Sequence, residues 1–89
     1  MNSRALPSFW RQFYKLSKDT QALAEKQFLL WLDNPQHPSL HFKMVSASTG
    51  VYSARVSLNC RALALRDGDT YYWYWIGTHA EYDHLLKQF

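Results

Sequence analysis

Apolar residues recur at Phe9, Phe13 and Leu16, the i, i+4, i+7 spacing of one helical face, and Trp10 and Tyr14 widen the stripe behind Pro7 and Ser8. A short amphipathic helix is predicted there, and the residues before it carry no pattern and read as loose. A second helix is capped by Ser17 or Asp19 and turns Ala24, Phe28, Trp31 and Leu32 to one side. It stops at Asn34 and Pro35, because proline disfavours helical geometry in the residue before it. Two helices in succession form a hairpin. From Leu40 the period falls to two: Leu40, Phe42 and Met44 alternate with His41, Lys43 and Val45, which predicts a strand followed by a turn at 46–50. Val51 to Leu58 alternates as well, with Tyr52, Ala54, Val56 and Leu58 on one face and Ser53, Arg55 and Ser57 on the other. Cys60 to Leu65 is a further strand, and Asp67-Gly68 is a tight-turn signal into the aromatic segment Thr70 to Gly77. Thr78 and Glu81 have the spacing of a capping box, and Tyr82, Leu85, Leu86 and Phe89 form the stripe of a short C-terminal helix. The predicted class is α+β: an N-terminal helical hairpin packed on an antiparallel β-sheet meander, with helices covering one face of the sheet.

At 89 residues the chain suffices for a single domain, residues 1–89, and excludes a multi-domain enzyme. Four Trp, six Tyr and five Phe give so short a chain the large side chains that a core needs. Ten Lys and Arg against seven Asp and Glu leave a formal charge of +3, distributed unevenly. No acidic residue lies between Asp33 and Asp67, whereas Lys43, Arg55, Arg61, Arg66, His37 and His41 do, so an anionic partner is favoured over a merely solvated basic face. One cysteine, Cys60, forms no intrachain disulfide and fits a reducing compartment. The longest apolar runs, 28–32 and 71–76, are too short to span a bilayer, and the expected location is cytoplasmic with no membrane role.

Metal-free cleavage of a phosphodiester by a 2′-hydroxyl needs cations to hold the charge gathering on phosphorus and groups that move two protons. Arg55, Arg61 and Lys43 occupy polar strand positions that line one surface, or else keep the sheet soluble. His79 begins the last helix, whose positive end favours a neutral imidazole able to accept a proton. Tyr82 lies beside it, or belongs to the apolar stripe. Tyr71, Trp73 and Trp75 alternate with Tyr72, Tyr74 and Ile76; one set belongs to the core, and the other is free to stack bases or to meet a protein. Trp73 and Arg66, with Lys43, are the candidate RNA contacts. Cys60 reads as a small buried hydrophobe. His37 and His41 straddle Pro38, and His79 and His84 fall on different helix faces, so no metal is expected. Gly50, Gly68 and Gly77 are scattered, so no nucleotide cofactor is expected either.

The segments FWRQFYKL (9–16), AEKQFLLWLDNPQHPSLHFK (24–43), VYSARVSLNCRAL (51–63) and WIGTHAEYDHLL (75–86), in this order, resemble the RelE/ParE superfamily of toxin-antitoxin toxins, especially its RelE-like and HigB-like members. The resemblance implies a RelE-like fold and a toxin that cuts messenger RNA in the ribosomal A site without a metal. It also implies a cognate antitoxin in a hetero-oligomeric complex. ParE-like members instead inhibit DNA gyrase, and a member that has lost the reaction would bind nucleic acid or protein only. By the same resemblance Arg61 and Arg55 match basic positions of the central strands, Lys43 one after the hairpin, and His79 and Tyr82 the polar and tyrosine positions after the last strand. Two departures stand out. Leu58-Asn59-Cys60-Arg61 replaces the usual Gly-Asp-Tyr-Arg, and a whole helix follows Tyr82, which would draw Tyr82 into the core and leave His79 and the arginines as the active groups.

Overall fold

The computed structural model of the chain describes residues 2–88. The elements run β1 (Asn2–Ala5), α1 (Pro7–Phe13), α2 (Lys18–Asp33), a 3-10 turn (Pro38–Leu40), β2 (Lys43–Ser46), β3 (Val51–Ser57), β4 (Cys60–Asp67), β5 (Thr70–Thr78) and α3 (His79–Leu86). Pro7 opens α1 without a side-chain cap, since its missing N–H is one that a helix start leaves unpaired anyway. Ser17, not Asp19, caps α2, accepting from the Thr20 amide. Strands β2 to β5 form the antiparallel meander, and Gly50 and Gly68 supply positive φ in two of its turns.

Three expectations are corrected. Residues 2–5 are not loose: they pair parallel with β5, Ser3 opposite Tyr71, and the Trp73 indole N–H donates to Ser3 Oγ at 3.0 Å. Four residues are too few to show a period, so only the neighbouring strand reveals them as one. The sheet is therefore five-stranded and mixed, in the order β1-β5-β4-β3-β2. Secondly, helices cover both faces. Helices α1 and α2 pack with Ala54, Ala62, Ala64, Tyr71 and Trp73, whereas α3 packs with Val51, Leu63 and Trp75 on the opposite face. Thirdly, a β-bulge breaks the alternation of β5. Leu63 pairs with Trp75 and Ala64 with Trp73, leaving Tyr74 as the extra residue, so Trp75 turns to the α3 face and Ile76 joins Trp73 on the other.

Smaller differences have similar causes. Leu40 closes the 3-10 turn instead of starting a strand, yet is 1% exposed, and Leu58 lies exposed in the β3–β4 turn. Of the α2 stripe, Ala24 and Trp31 are buried, while Phe28 and Leu32 remain exposed. Trp31 anchors the α1/α2 face, with the rings of Phe42, Tyr71 and Trp73 edge-on around it at centroid distances of 5.6, 5.3 and 5.2 Å. Each such pair contributes about 0.5–1.5 kcal/mol beyond the burial itself. Cys60 is buried, and desolvation pushes its thiol up to about 11, the behaviour of an inert core residue.

Helix α3 carries the predicted capping box: Thr78 Oγ1 accepts from the Glu81 amide at 3.1 Å, and Glu81 Oε1 accepts from the Thr78 amide at 3.0 Å. These bonds hold the Glu81 carboxyl below its ordinary value of 4.5. The cap favours the ionised form, so its stabilisation is complete above that ordinary value and is lost as pH falls through the lower folded value. Amide exchange in α3 is expected to quicken in acid relative to that in the sheet, and Glu81→Gln should abolish that extra pH dependence. Phe89, assigned to the same stripe, lies outside the described residues.

Candidate active site

Antiparallel register places Arg55 of β3 directly opposite Arg61 of β4, and Arg61 in turn opposite Gly77 of β5. Lys43 of β2 pairs with Ser53, two residues from Arg55 on the same face. These side chains, with His41, His79, Tyr82 and Asp83, line a cleft of about 280 Å³ on the α3 side of the sheet. Of the predicted site residues, Arg55, Arg61, His79, Tyr82 and Lys43 are thus brought together.

Two cross-strand arginines repel, by roughly 0.2–1 kcal/mol for like charges in this position. Neither is in an ion pair among the described residues. Arg61 is held by the chain itself, its Nη1 donating to the carbonyls of Ser57 at 2.6 Å and Cys60 at 3.0 Å, so its guanidinium is oriented before any ligand arrives. An anion between the two would relieve the repulsion. Gly77 lets the Trp75 ring pack against the backbone here, because a Cβ at this position would stand 2.5 Å from that ring.

His79 is fixed from both ends. Its amide donates to the Asn59 carbonyl at 2.8 Å, tying the start of α3 to the β3–β4 turn. Its Nδ1 lies 3.0 Å from Asp83 Oδ2, one helical turn on. An Nδ1–H donated to that carboxylate leaves Nε2 as the nitrogen free for proton transfer. Asp83 went unnoticed in the sequence, although i, i+4 spacing from a helical histidine was the signal for it. Ser53 and His41 are further cleft residues; alternation with Arg55 places Ser53, whereas His41 lies before β2 in a left-handed conformation and no period places it.

Tyr82 needs a change of role. It is 6% exposed, packed with Val51 and Leu63, and its hydroxyl donates to the buried Ser53 Oγ at 3.1 Å. It anchors α3 to the sheet. Tyr82→Phe leaves Ser53 without its partner and should cost about 1 kcal/mol, a decrease in Tm of roughly 4–8 °C by thermal melting. Any cleavage activity should survive; its loss in a folded Tyr82→Phe protein would return the hydroxyl to the chemistry.

Two predicted RNA contacts lie elsewhere. Trp73 is in the core beneath α1 and α2, where no base can stack on it, because the indole there satisfies both the aromatic cluster and Ser3. Arg66 stands on the α1/α2 face, over the Tyr71 ring at 5.6 Å and bonded to the Gly68 carbonyl, because its strand position has the parity of Ala62 and Ala64, not of Arg61. A second cavity of about 200 Å³ opens between α1, α2 and the sheet. Phe9, Phe13, Phe28, Trp31 and Trp73 are among its lining residues, with Glu25 and Arg55, and no imidazole lines it. Among the described residues no three His, Cys, Asp or Glu side chains gather as metal ligands, and no helix is long and apolar enough to cross a membrane.

No family model and no curated protein matches the chain. Solved structures do. YafQ from E. coli strain BL21(DE3) superposes with a TM-score of 0.72 at 14% identity, covering 91% of this chain and 96% of that one. A YoeB/ParE toxin from Agrobacterium tumefaciens gives 0.67 at 12% identity over 89% and 99% of the two chains. The RelBE2 toxin-antitoxin complex of Mycobacterium tuberculosis gives 0.67 at 21% identity over 88% and 96%. The α+β arrangement and this set of neighbours together show that the chain has the fold of the RelE/ParE toxin superfamily.

Proposed function

We propose that this protein is the toxin of a type II toxin-antitoxin pair, a metal-independent endonuclease that cuts messenger RNA on the ribosome in the cytoplasm. A cognate antitoxin would hold it in a hetero-oligomer. The observation that carries this is the unneutralised Arg55–Arg61 pair beside a histidine whose other nitrogen is held by a carboxylate. Binding to gyrase alone would not require that arrangement.

In the proposed reaction the 2′-oxygen attacks the adjacent phosphorus, and the P–O bond to the 5′-oxygen of the next nucleotide breaks. The products are a 2′,3′-cyclic phosphate and a free 5′-hydroxyl. The proton of the 2′-hydroxyl leaves to a base, and an acid delivers one to the departing oxygen. His79 Nε2 performs one of these transfers. Arg55 and Arg61 stabilise the extra negative charge on the pentacoordinate phosphorus, and Lys43 binds the phosphate backbone at the β2 edge.

Adding the protein to a cell-free translation reaction and mapping message 5′ ends by primer extension tests this. New ends that need ribosomes are the expected result. Intact message, with supercoiling by purified gyrase inhibited, would replace the nuclease with a gyrase-binding toxin.

A further inference from the structure

The two arginines of the cleft are oriented by different means. The Arg61 guanidinium is tied to the Ser57 and Cys60 carbonyls. Among the described residues Arg55 has no such tie, so its direction is set by its backbone. That backbone stands at a weak point of the sheet. Strand β2 begins at Lys43, opposite Ser53, so past Ser53 the edge of β3 has no strand partner on that side. On the other side Arg55 pairs with Arg61 and Ser57 with Cys60, which leaves Val56 as the extra residue of a bulge and bends the strand. We propose that Gln27 of α2 is a positioning residue for Arg55, holding its peptide from the opposite face of the sheet so that the guanidinium is aimed at the phosphate. This rests on the RNA-cleavage reading of the cleft.

The Gln27 side-chain amide donates to the Arg55 carbonyl at 3.3 Å. Gln27 lies three residues after Ala24 and four before Trp31, both buried, on the inward stripe of α2, whereas Phe28 is 40% exposed. An amide on an apolar stripe loses hydration and costs free energy unless it finds a partner. A methionine would fill the same space without that cost, so the bond to Arg55 is what the amide contributes. The bond also reaches across the sheet. Arg55 and Gln27 both line the apolar cavity beneath α2, and Arg55 is the residue that this cavity shares with the cleft. Without the bond, the peptide after Arg55 is free to rotate at the bulge, and the length of the arginine side chain amplifies that rotation at the guanidinium. A misplacement of about 1 Å in a reaction site is enough to cost about 100-fold in rate.

Gln27→Met keeps the length and volume of the side chain and removes the donor. Its rate in the ribosome-dependent primer-extension assay is expected to fall by about 10- to 100-fold, in kcat and not in KM, and the same substitution should cost nothing further in Arg55→Gln. Gln21→Met is the control for stability alone. Gln21 is a second amide of α2, buried, and donates to the Leu16 carbonyl at 2.9 Å, away from the cleft. Its substitution should lower Tm at least as much as Gln27→Met and leave cleavage at the wild-type rate. Gln27→Met cutting at the wild-type rate overturns the proposal while leaving the nuclease reading intact. A loss that recurs in full in the Arg55→Gln background, that lies in KM, or that Gln21→Met reproduces makes the bond merely structural and overturns it too. Message left whole by the wild-type protein removes the cleavage reading and this proposal together.

Discussion

His79→Ala is expected to lower the rate of ribosome-dependent message cleavage by about 10²- to 10⁴-fold, the usual worth of a positioned acid or base, with the fold intact. The side chain is 43% exposed, and its ring meets the buried Tyr82 ring edge-on at a centroid distance of 6.0 Å. Stability should therefore fall by no more than about 1.5 kcal/mol. Asp83 provides the sharper test. In the proposed mechanism its carboxylate acts through His79 alone, so Asp83→Asn should slow cleavage in the wild-type background, with the effect in kcat and not in KM, and should cost nothing further in His79→Ala. That non-additivity separates a positioning residue from a helix-surface ion pair, which contributes little to stability and nothing to rate. Equal effects of Asp83→Asn in both backgrounds would place Asp83 outside the mechanism.

Substitutions in the arginine pair should act on stability with opposite signs and on cleavage with the same sign. Arg61→Ala loses hydrogen bonds to the Ser57 and Cys60 carbonyls and is expected to destabilise the protein by roughly 1–2 kcal/mol. Arg55→Gln keeps the aliphatic stem, removes the cross-strand repulsion and should stabilise it by roughly 0.2–1 kcal/mol at low salt, less as salt screens the pair. Both should lose about 10²- to 10³-fold in cleavage, the cost of one charge-stabilising group in a reaction site. Phosphate or sulfate should raise the Tm of the wild-type protein and have less effect on Arg55→Gln, because a ligand bound only to the folded state stabilises it. An Arg55→Gln protein that is more stable and still fully active would show that the pair has no part in holding the phosphate.

The legible parts of the site were those on elements with a clear period. Arg55 was assigned to the polar face of its strand by strict alternation, and β3 keeps that alternation from Tyr52 to Val56. The start of α3, and hence the position of His79, followed from the capping box. Trp73 and Trp75 were harder, because a single bulged residue at Tyr74 reverses the facing of everything after it, and no local signal in YYWYWI marks which residue is extra. Tyr82 fitted two roles on spacing, and only the position of Ser53 on a strand 29 residues earlier decided between them.

From its amino-acid order alone the chain determined three helices, four of its five strands, the α+β class and the concentration of positive charge in 34–66. Each is a consequence of local period, capping or composition, which act over a few residues. Tertiary structure alone decided which face of the sheet each helix covers, that residues 2–5 complete the sheet, and that Arg66 and Trp73 face away from Arg61. It also decided that His41, Arg55, Arg61 and His79, spread over 39 positions of sequence, line one cleft. These depend on strand order, register and a bulge, which are set by how whole elements bury their faces against one another and not by any short stretch of the chain.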